Sequence, residues 1–189
     1  MKIYVIDNGG QWTHREYRVL RDLGIDASIL PNTSPSSALD DADSIVLSGG
    51  APSIVDELDK LGNIKQYVED HKFPILGICV GAQFIALNFG GKVGPGAHPE
   101  FGKTEVTINN PTGIFLGLPP KITVWENHND EVKQLPDSDF VITASSKTCP
   151  IQGFQHKTRP IYAVQFHPEV EHTQFGRKIF ENFIDICKS

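Results

Sequence analysis

The sequence predicts an α/β fold: an open, mostly parallel sheet flanked by helices, with an antiparallel extension. The first half alternates short, continuous apolar runs with amphipathic stretches, and this alternation is typical of parallel strands joined by right-handed crossovers. The second half contains five strand-like runs, several of them separated by short turns. Short turns join antiparallel neighbours, whereas parallel strands need long crossovers. We therefore expect both kinds of pairing in one sheet.

Apolar continuity identifies the strands of the first half. Runs rich in β-branched residues are typical of strands covered on both faces, and they lie at 3–6, 27–30, 44–47 and 74–78. Helical spacing of apolar side chains predicts helices over 13–23 and 58–71, the second weakened by Gly62. A third predicted helix follows Cys79 directly and ends before Gly90.

The second half is predicted to form strands at 104–108, 122–125, 140–143, 151–154 and 161–166, several with period-two alternation. A final helix is predicted from about residue 173, with four apolar side chains at core-facing spacing: Phe175, Ile179, Phe180 and Phe183. The chain contains no internal repeat, low-complexity tract or linker-like stretch. We therefore expect a single domain over 1–189.

Composition argues against several classes of protein. The 189 residues carry a net charge of −6, which disfavours a nucleic-acid-binding protein, since such proteins present a basic face. No apolar run approaches the ~18 residues that a membrane-spanning helix needs, so we expect no membrane segment. The three cysteines are an odd number without a Cys-x-x-Cys pair. This disfavours a disulfide framework and a cysteine zinc site, and it fits a reducing cytoplasm.

The strongest local signal for chemistry is Gly77-Ile78-Cys79-Val80-Gly81, where a predicted buried strand joins a helix. Glycines two residues before and after the cysteine permit the sharp turn of a nucleophile elbow. The helix N-terminus directs free N–H groups at the sulfur, which favours the thiolate, and the Val80 N–H can stabilise an oxyanion. The alternative is that Cys79 is a small buried core residue, as we expect of Cys149 and Cys187, which lack this setting.

Three further groups follow the ends of other predicted strands. His167 ends the last strand, and Glu169 two residues later can orient its ring and support an imidazolium. Gly50, after the third strand, can supply a second oxyanion donor beside Val80. Active sites of open α/β sheets gather beyond the carboxyl ends of strands, where Cys79 also lies. Taken separately, each piece is an ordinary turn; together they predict a Cys–His–Glu site.

These residues resemble the motifs of the class I glutamine amidotransferase domain. Its nucleophile motif stands here as Gly77-Ile78-Cys79-Val80-Gly81-Ala82-Gln83, and its histidine motif as Gln165-Phe166-His167-Pro168-Glu169. The resemblance covers essentially the whole chain and implies the family's flavodoxin-like fold. It implies that Cys79 attacks the side-chain amide of L-glutamine and that His167, oriented by Glu169, protonates the leaving ammonia and then activates water. Gly50 and Val80 form the oxyanion hole in this interpretation.

The resemblance also implies contacts to the rest of the substrate. Gln83 is expected to contact the α-amino and carboxylate end of glutamine, as is the backbone near Asn129 and Asp130. Two departures from the family pattern fall close to the site: Ala51 interrupts the family's Gly-Gly-Pro, and Asn129 replaces a glycine. His128 has an alternative interpretation as a polar loop residue without a role.

Within this family, the chain most resembles one branch, the glutaminase subunits of two-subunit GMP synthetases. The similar stretches are Asp7-Asn8-Gly9-Gly10-Gln11-Trp12-Thr13 and Glu169-Val170-Glu171-His172-Thr173. This resemblance implies a partner, the ATP-pyrophosphatase subunit, in a heterodimer or larger assembly. ATP and magnesium belong to that partner, and no cofactor or metal is implied for this chain. Because the chain ends soon after its predicted last helix, we expect the synthetase to be a separate protein.

Three alternatives stay open at this point. The same chemistry can serve another partner, such as anthranilate or aminodeoxychorismate synthase, although those subunits tend to open with Asp-Asn-Tyr-Asp-Ser-Phe. A cysteine peptidase or hydrolase on a related scaffold is disfavoured by the placement of Gln83. A non-catalytic regulator that binds glutamine or a partner is disfavoured by the intact set of Cys79, His167 and Glu169.

Overall fold

One nine-stranded sheet runs through the computed structural model, which describes residues 1–189. Its strands are β1 (Lys2–Asn8), β2 (Asp26–Pro31), β3 (Ser44–Gly50), β4 (Ile75–Ile78), β5 (Lys92–Ile108), β6 (Lys121–Gln134), β7 (Phe140–Ser146), β8 (Gly153–His156) and β9 (Ile161–Val164). The α-helices are α1 (Thr13–Asp22), α2 (Ile64–Asp70), α3 (Val80–Asn88) and α4 (Gly176–Cys187). The strand order is β2-β1-β3-β4-β9-β8-β7-β5-β6.

The sheet has a parallel part and an antiparallel part, as predicted. The neighbours from β2 through β1, β3 and β4 to β9 pair in parallel, and every pair from β9 to β6 is antiparallel. The predicted fold class is therefore confirmed. Because β4 and β9 are parallel neighbours with Ile78 opposite Val164, the segments that follow these two strands leave the sheet at the same edge.

The two faces of the parallel strands are both covered, which explains their continuous apolar runs. Tyr4 and Ile45 face a core that is closed by residues of α2 and α3. Ile3 and Val46, their neighbours along the chain, face the opposite core, which is closed by α1 and α4. No helix of the protein is long and apolar enough to cross a membrane.

The helix predicted over 58–71 is wrong in its extent. A short 3-10 turn covers Leu58–Leu61, and α2 begins only at Ile64. Gly62 separates them at φ 57°, in a conformation that L side chains rarely adopt. A Cβ atom at Gly62 would lie 2.6 Å from the Asn32 carbonyl oxygen, so the break is imposed by close packing against another segment.

Two other expectations need correction. The strands predicted at 104–108 and 122–125 are only parts of β5 and β6, which pair from Lys92 to Thr107 in a long antiparallel arm. The last helix begins at Gly176, and Phe175 precedes it at φ 60° with 48% of its surface exposed. Phe175 therefore does not face the core, whereas the other three predicted side chains do.

Candidate active site

Cys79 lies at the bend between β4 and α3, with φ 50° and ψ −109°. This backbone conformation is rare for a residue with a side chain and costs on the order of 1–3 kcal/mol, so the surrounding structure must impose it. Gly81 makes the bend possible, since a Cβ atom there would lie 2.2 Å from the Leu47 carbonyl oxygen. The thiol is thereby held at the N-terminus of α3, almost fully buried.

His167 and Glu169 follow β9 and reach the same edge of the sheet. His167 Nδ1 and Glu169 Oε1 lie 2.7 Å apart, and both side chains are buried. Burial by itself would lower the pKa of His167, but the Glu169 carboxylate and the Cys79 sulfur outweigh it and raise that pKa well above its ordinary value. The other ring nitrogen, Nε2, is buried without a hydrogen-bond partner. The imidazole can therefore hold a proton beside the thiol.

Two cavities meet at Cys79. The first, of about 400 Å³, brings Cys79 together with His167 and Glu169. The second, of about 380 Å³, also reaches Cys79. All three residues predicted to contact the substrate line this second cavity: Gln83, Asn129 and Asp130. A small molecule in the second cavity would present one end to the thiol, and the first cavity would continue beyond it.

The residues predicted to form an oxyanion hole are neighbours: Gly50 lines both cavities, and Val80 lines the second. A Cβ atom at Gly50 would lie 3.2 Å from Val80 Cγ1 and 2.5 Å from the Asn8 carbonyl oxygen. Only glycine fits there, because the backbone approaches closely on both sides. At the preceding residue, Gly49, a Cβ atom would lie 3.0 Å from His167 Cε1 and 3.6 Å from Cys79 Cβ. The strand β3 was expected to end before these glycines but extends through them, and its carboxyl end thus packs directly against both reactive side chains.

Gln83 is tied into the protein by its side-chain amide. Its Nε2 donates to the Asp130 carbonyl oxygen at 2.7 Å and to Gln165 Oε1 at 3.2 Å. Gln165 in turn donates from Nε2 to Cys79 Sγ at 3.6 Å. Asp130 accepts a further bond from Ser53 Oγ at 3.0 Å. Gln83 therefore holds the end of the second cavity together, in addition to any contact with a substrate.

His128 is not the exposed loop residue that its alternative interpretation implied. It lies inside β6, buried, with Nε2 at 3.1 Å from a Glu100 oxygen and 3.3 Å from a Glu126 oxygen. Its Nδ1 lies 3.1 Å from the Asp130 carbonyl oxygen. Burial opposes a charge on the ring, but the hydrogen bond to Glu100 and the nearby Glu126 carboxylate outweigh it and raise the pKa of His128 to about 10. His128 is thus a buried cation that anchors Asp130.

Glu100, His128 and Cys149 place their polar atoms within 4.8 Å of one another, a spacing that a metal site would also show. The Glu100 carboxylate, however, already accepts hydrogen bonds from the side chains of three donors, Ser146, Thr148 and Gln152. Donors gathered around an anion are typical of a buried carboxylate satisfied by hydrogen bonds rather than by an ion. We therefore interpret this cluster as an internal polar network.

The other two thiols lie away from the cavities. Burial raises the pKa of Cys149, and burial also raises the pKa of Cys187 to about 11. Both thiols are therefore protonated near neutral pH, in agreement with the expectation that they take no part in chemistry.

Several residues of the first cavity were not assigned to the site from the sequence, among them Trp12 and Glu16. The Trp12 ring packs edge-on against His167, with centroids 4.5 Å apart. Glu16 is fully buried on α1, in line with Thr13 and Leu20. Positions three and four apart share a helix face. The spacing of Glu16 from Thr13 and Leu20 could therefore have indicated from the sequence that this acid lies on the buried face of α1.

Comparison with known proteins connects this geometry to one family. The family model described as glutamine amidotransferase class-I matches residues 4–187. A glutamine-hydrolyzing GMP synthase subunit of Thermoplasma acidophilum is 67% identical over 189 residues, covering 100% of this chain and 94% of the relative. The protein of the same name from Picrophilus torridus is 56% identical and covers both chains fully.

Solved structures agree with the sequence comparison. The crystal structure of a GMP synthase subunit from T. acidophilum, 67% identical in sequence, matches with a TM-score of 0.96, over 100% of this chain and 94% of that one. A glutamine amidotransferase from Thermotoga maritima, only 22% identical, matches with a TM-score of 0.77 over 100% of this chain and 82% of that one. The second likeness shows that the fold is shared at low sequence identity.

Proposed function

The chain belongs to the glutamine amidotransferase class-I family, and from this premise we propose that it is the glutaminase subunit of a two-subunit GMP synthetase. One observation carries the proposed chemistry: the strained Cys79 shares a cavity with the buried His167–Glu169 pair. The names of the relatives at 56–67% identity support the choice of branch within the family.

The first proposed step is attack by the Cys79 thiolate on the side-chain amide carbon of L-glutamine. The carbonyl π electrons move onto oxygen, and the N–H groups of Gly50 and Val80 stabilise the resulting oxyanion. His167 holds the proton that came from the thiol. Its protonated form fits a site where the raised pKa of His167 keeps the imidazolium beside the thiolate.

The second step expels ammonia. His167 donates its proton to the amide nitrogen, the C–N bond breaks, and Cys79 keeps the glutamyl group as a thioester. A water molecule then gives a proton to His167 and attacks the thioester carbon, which releases glutamate and regenerates the thiolate. Glu169 holds the imidazole through the 2.7 Å contact and stabilises its charged form in both steps.

The substrate would lie in the second cavity, with its α-amino and carboxylate groups toward Gln83, Asn129 and Asp130. The first cavity then lies on the side from which ammonia departs. Ammonia is mostly protonated near neutral pH and loses its nucleophilicity in bulk water, so direct transfer to a partner is advantageous. We propose that the partner is an ATP-pyrophosphatase subunit, which uses ATP and magnesium to activate XMP for amination to GMP.

Two broader expectations belong to the same proposal. Residues 1–189 act as one glutamine amidotransferase type 1 domain, consistent with the family match over 4–187. The cysteine content fits a cytoplasmic location, where thiols stay reduced.

The test is transfer of labelled nitrogen. Glutamine labelled at the side-chain amide should yield labelled GMP when this protein, the synthetase subunit, ATP, magnesium and XMP are combined. Cys79→Ala should lower glutamine-dependent synthesis by at least about 10³-fold, since it removes the nucleophile. The same variant should leave synthesis from added ammonia unchanged, because the partner carries that step.

Cys187→Ala is the matched control, a thiol removed from the end of α4 and away from both cavities. It should keep wild-type activity with glutamine. Glutamine-dependent synthesis that survives in Cys79→Ala would refute the proposed mechanism. Labelled product that appears with a chorismate-using partner and not with the synthetase would refute the proposed branch.

A further inference from the structure

Glu16 is a buried acid that the proposed mechanism does not use. It projects from α1 toward the sheet with no surface exposed, and it lines the same cavity as Cys79, His167 and Glu169. Burial of a carboxyl group beside another carboxylate is unfavourable unless the group is paired or uncharged.

Glu16 contacts the carboxyl end of β3, which carries the proposed oxyanion donor Gly50. The Gly49 N–H donates to Glu16 Oε1 at 3.3 Å. The carbonyl group of Gly49 is held as well, because Ser48 Oγ donates to its oxygen at 2.7 Å. Asn8 extends the same anchoring by donating from Nδ2 to the Ser48 carbonyl oxygen at 2.9 Å. The backbone on both sides of Gly49 is thus fixed by buried polar groups.

Gly49 is well placed to transmit this anchoring to the reacting groups. A methyl group at Gly49 would lie 3.0 Å from His167 Cε1 and 3.6 Å from Cys79 Cβ, so this backbone position is close to both reactive side chains. The next residue along the chain is Gly50, the proposed oxyanion donor. A change in the backbone angles of Gly49 would therefore alter both its packing against the His167 ring and the direction of the Gly50 N–H.

We propose that Glu16 is a positioning residue of the glutaminase site, whose carboxyl group fixes the Gly49 amide and so aims the Gly50 N–H at the developing oxyanion. This inference rests on the proposed glutaminase function and deepens it. Glu16 touches neither substrate nor reacting atoms. Its effect reaches the reaction through the carboxyl end of β3, in the manner of a supporting hydrogen bond that holds a preorganised donor.

The charges around Glu16 favour its uncharged form. Burial is the largest influence that raises its pKa, followed by the Glu169 carboxylate, while His167 and the Gly49 hydrogen bond partly oppose them and Asp7 adds to them. Cys79, on the same cavity, would be a further negative group as a thiolate. The pKa of Glu16 therefore lies well above its ordinary value, and Oε1 can accept from Gly49 while Oε2, which has no partner, carries the proton.

When Glu16 is uncharged, it adds no negative charge to the site. Glu169 then remains the carboxylate that faces the His167 imidazolium. If Glu16 ionised, a second negative charge would enter the same buried space, and the unfolded chain would be favoured. An acid whose pKa is higher in the folded protein than in the unfolded chain stabilises the fold fully only below its unfolded pKa. The free energy of unfolding should therefore fall as pH rises from about 4.5, the ordinary pKa of Glu16, toward its raised pKa in the folded protein.

The experiment compares Glu16→Gln, Glu16→Ala and Leu20→Ala with the wild type in complex with the synthetase subunit. Glutamine keeps an oxygen for Gly49 and is uncharged, so Glu16→Gln should retain kcat within about threefold, less than the effect of one lost hydrogen bond. Glu16→Ala leaves the buried Gly49 N–H unpaired and should lower kcat by about tenfold or more with KM little changed, because oxyanion donors act in the transition state.

Leu20→Ala is the control for a merely structural role, since Leu20 is buried on the same helix and its apolar side chain makes no polar contact with the end of β3. It should lower the unfolding temperature and leave kcat and its pH profile unchanged. Glu16→Gln should also unfold at a higher temperature than wild type near neutral pH, with the difference shrinking toward about pH 4.5.

Three outcomes would overturn the inference: wild-type kcat in Glu16→Ala, a Glu16→Gln variant as inactive as Glu16→Ala, or a stability difference that does not depend on pH. The comparison of Glu16→Gln with wild type stands even where Glu16→Ala fails to fold. Failure of the proposed function is distinct from all three, because the wild type itself would then release no ammonia from glutamine.

Discussion

His128→Gln removes a positive charge from between two buried carboxylates, and we expect it to destabilise the protein in a pH-dependent way. His128 Nε2 lies 3.1 Å from Glu100 and 3.3 Å from Glu126, all three side chains being buried. Glutamine keeps a hydrogen-bond donor at this position and loses the charge. The single amide nitrogen of glutamine cannot reach both Glu100 and the Asp130 carbonyl oxygen, which His128 contacts through different ring nitrogens. The pH dependence of the loss, rather than its size alone, therefore tests the charge of His128.

The structure sets the size of the effect. Burial opposes the charge, but the two carboxylates raise the pKa of His128 to about 10 from its ordinary 6.5. A shift of this size corresponds to about 5 kcal/mol as an upper limit, at roughly 1.4 kcal/mol per pKa unit. Removal of one partner from a buried ion pair costs about 3–5 kcal/mol. We expect a loss of unfolding free energy in that range at about pH 6.

The sign of the pH dependence follows from the raised pKa. Because His128 binds its proton more tightly in the folded state, its stabilisation is complete below pH 6.5 and is lost as pH rises through about 10. The difference in unfolding free energy between wild type and His128→Gln should therefore shrink steadily across that window.

Urea unfolding at a series of pH values measures this difference. His98→Gln is the control, because His98 lies in β5 on the same antiparallel arm and is exposed; its difference from wild type should stay within about 0.5 kcal/mol. A loss for His128→Gln that is the same at every pH would refute the reasoning. So would a loss no larger than that of the control.

Two further predictions concern the bend at Cys79 and the pair behind it. Gly81→Ala should lower the unfolding free energy by about 3 kcal/mol or more, since its methyl group would lie 2.2 Å from a backbone oxygen. Thermal and urea unfolding should show Gly94→Ala, which meets no atom within 4 Å, close to wild type, and equal losses would contradict the role of close packing at Gly81. Glu169→Gln should lower kcat by about 10²–10⁴-fold in a steady-state glutaminase assay, because the amide cannot stabilise the His167 imidazolium. A kcat near that of wild type would show that Glu169 does not orient a charged ring.

The parallel half of the fold was predictable because its information is local. The first four strands are continuous apolar runs, and helical spacing was found in two of the three connections between them, so their parallel direction could be expected from connectivity. The antiparallel arm was harder to delimit. Residues 92–95 and 100–103 of β5 are strand because they pair with β6, and little in the composition of this segment favours a strand over a glycine- and proline-rich loop.

Breaks in helices depended on contacts that local patterns do not carry. The helix expected over 58–71 is interrupted where Gly62 packs against Asn32, more than twenty-five positions away in the chain. Phe175 has the spacing of a core residue but falls one position before α4, in a left-handed turn. In both cases periodicity was correct for part of the segment and a tertiary contact or turn fixed where the helix begins.

The candidate site also has features that follow from local sequence and features that depend on tertiary contacts. The sequence by itself determined which residues stand at the ends of strands, and parallel pairing of β4 with β9 is enough to bring Cys79 to the edge where His167 and Glu169 emerge. Only the tertiary structure decided that Glu16 faces the cavity and that His128 lies between two carboxylates. The physical reason is that a strand end is a property of local sequence, whereas the protonation and anchoring of a buried group depend on the charges and dipoles that distant segments place around it.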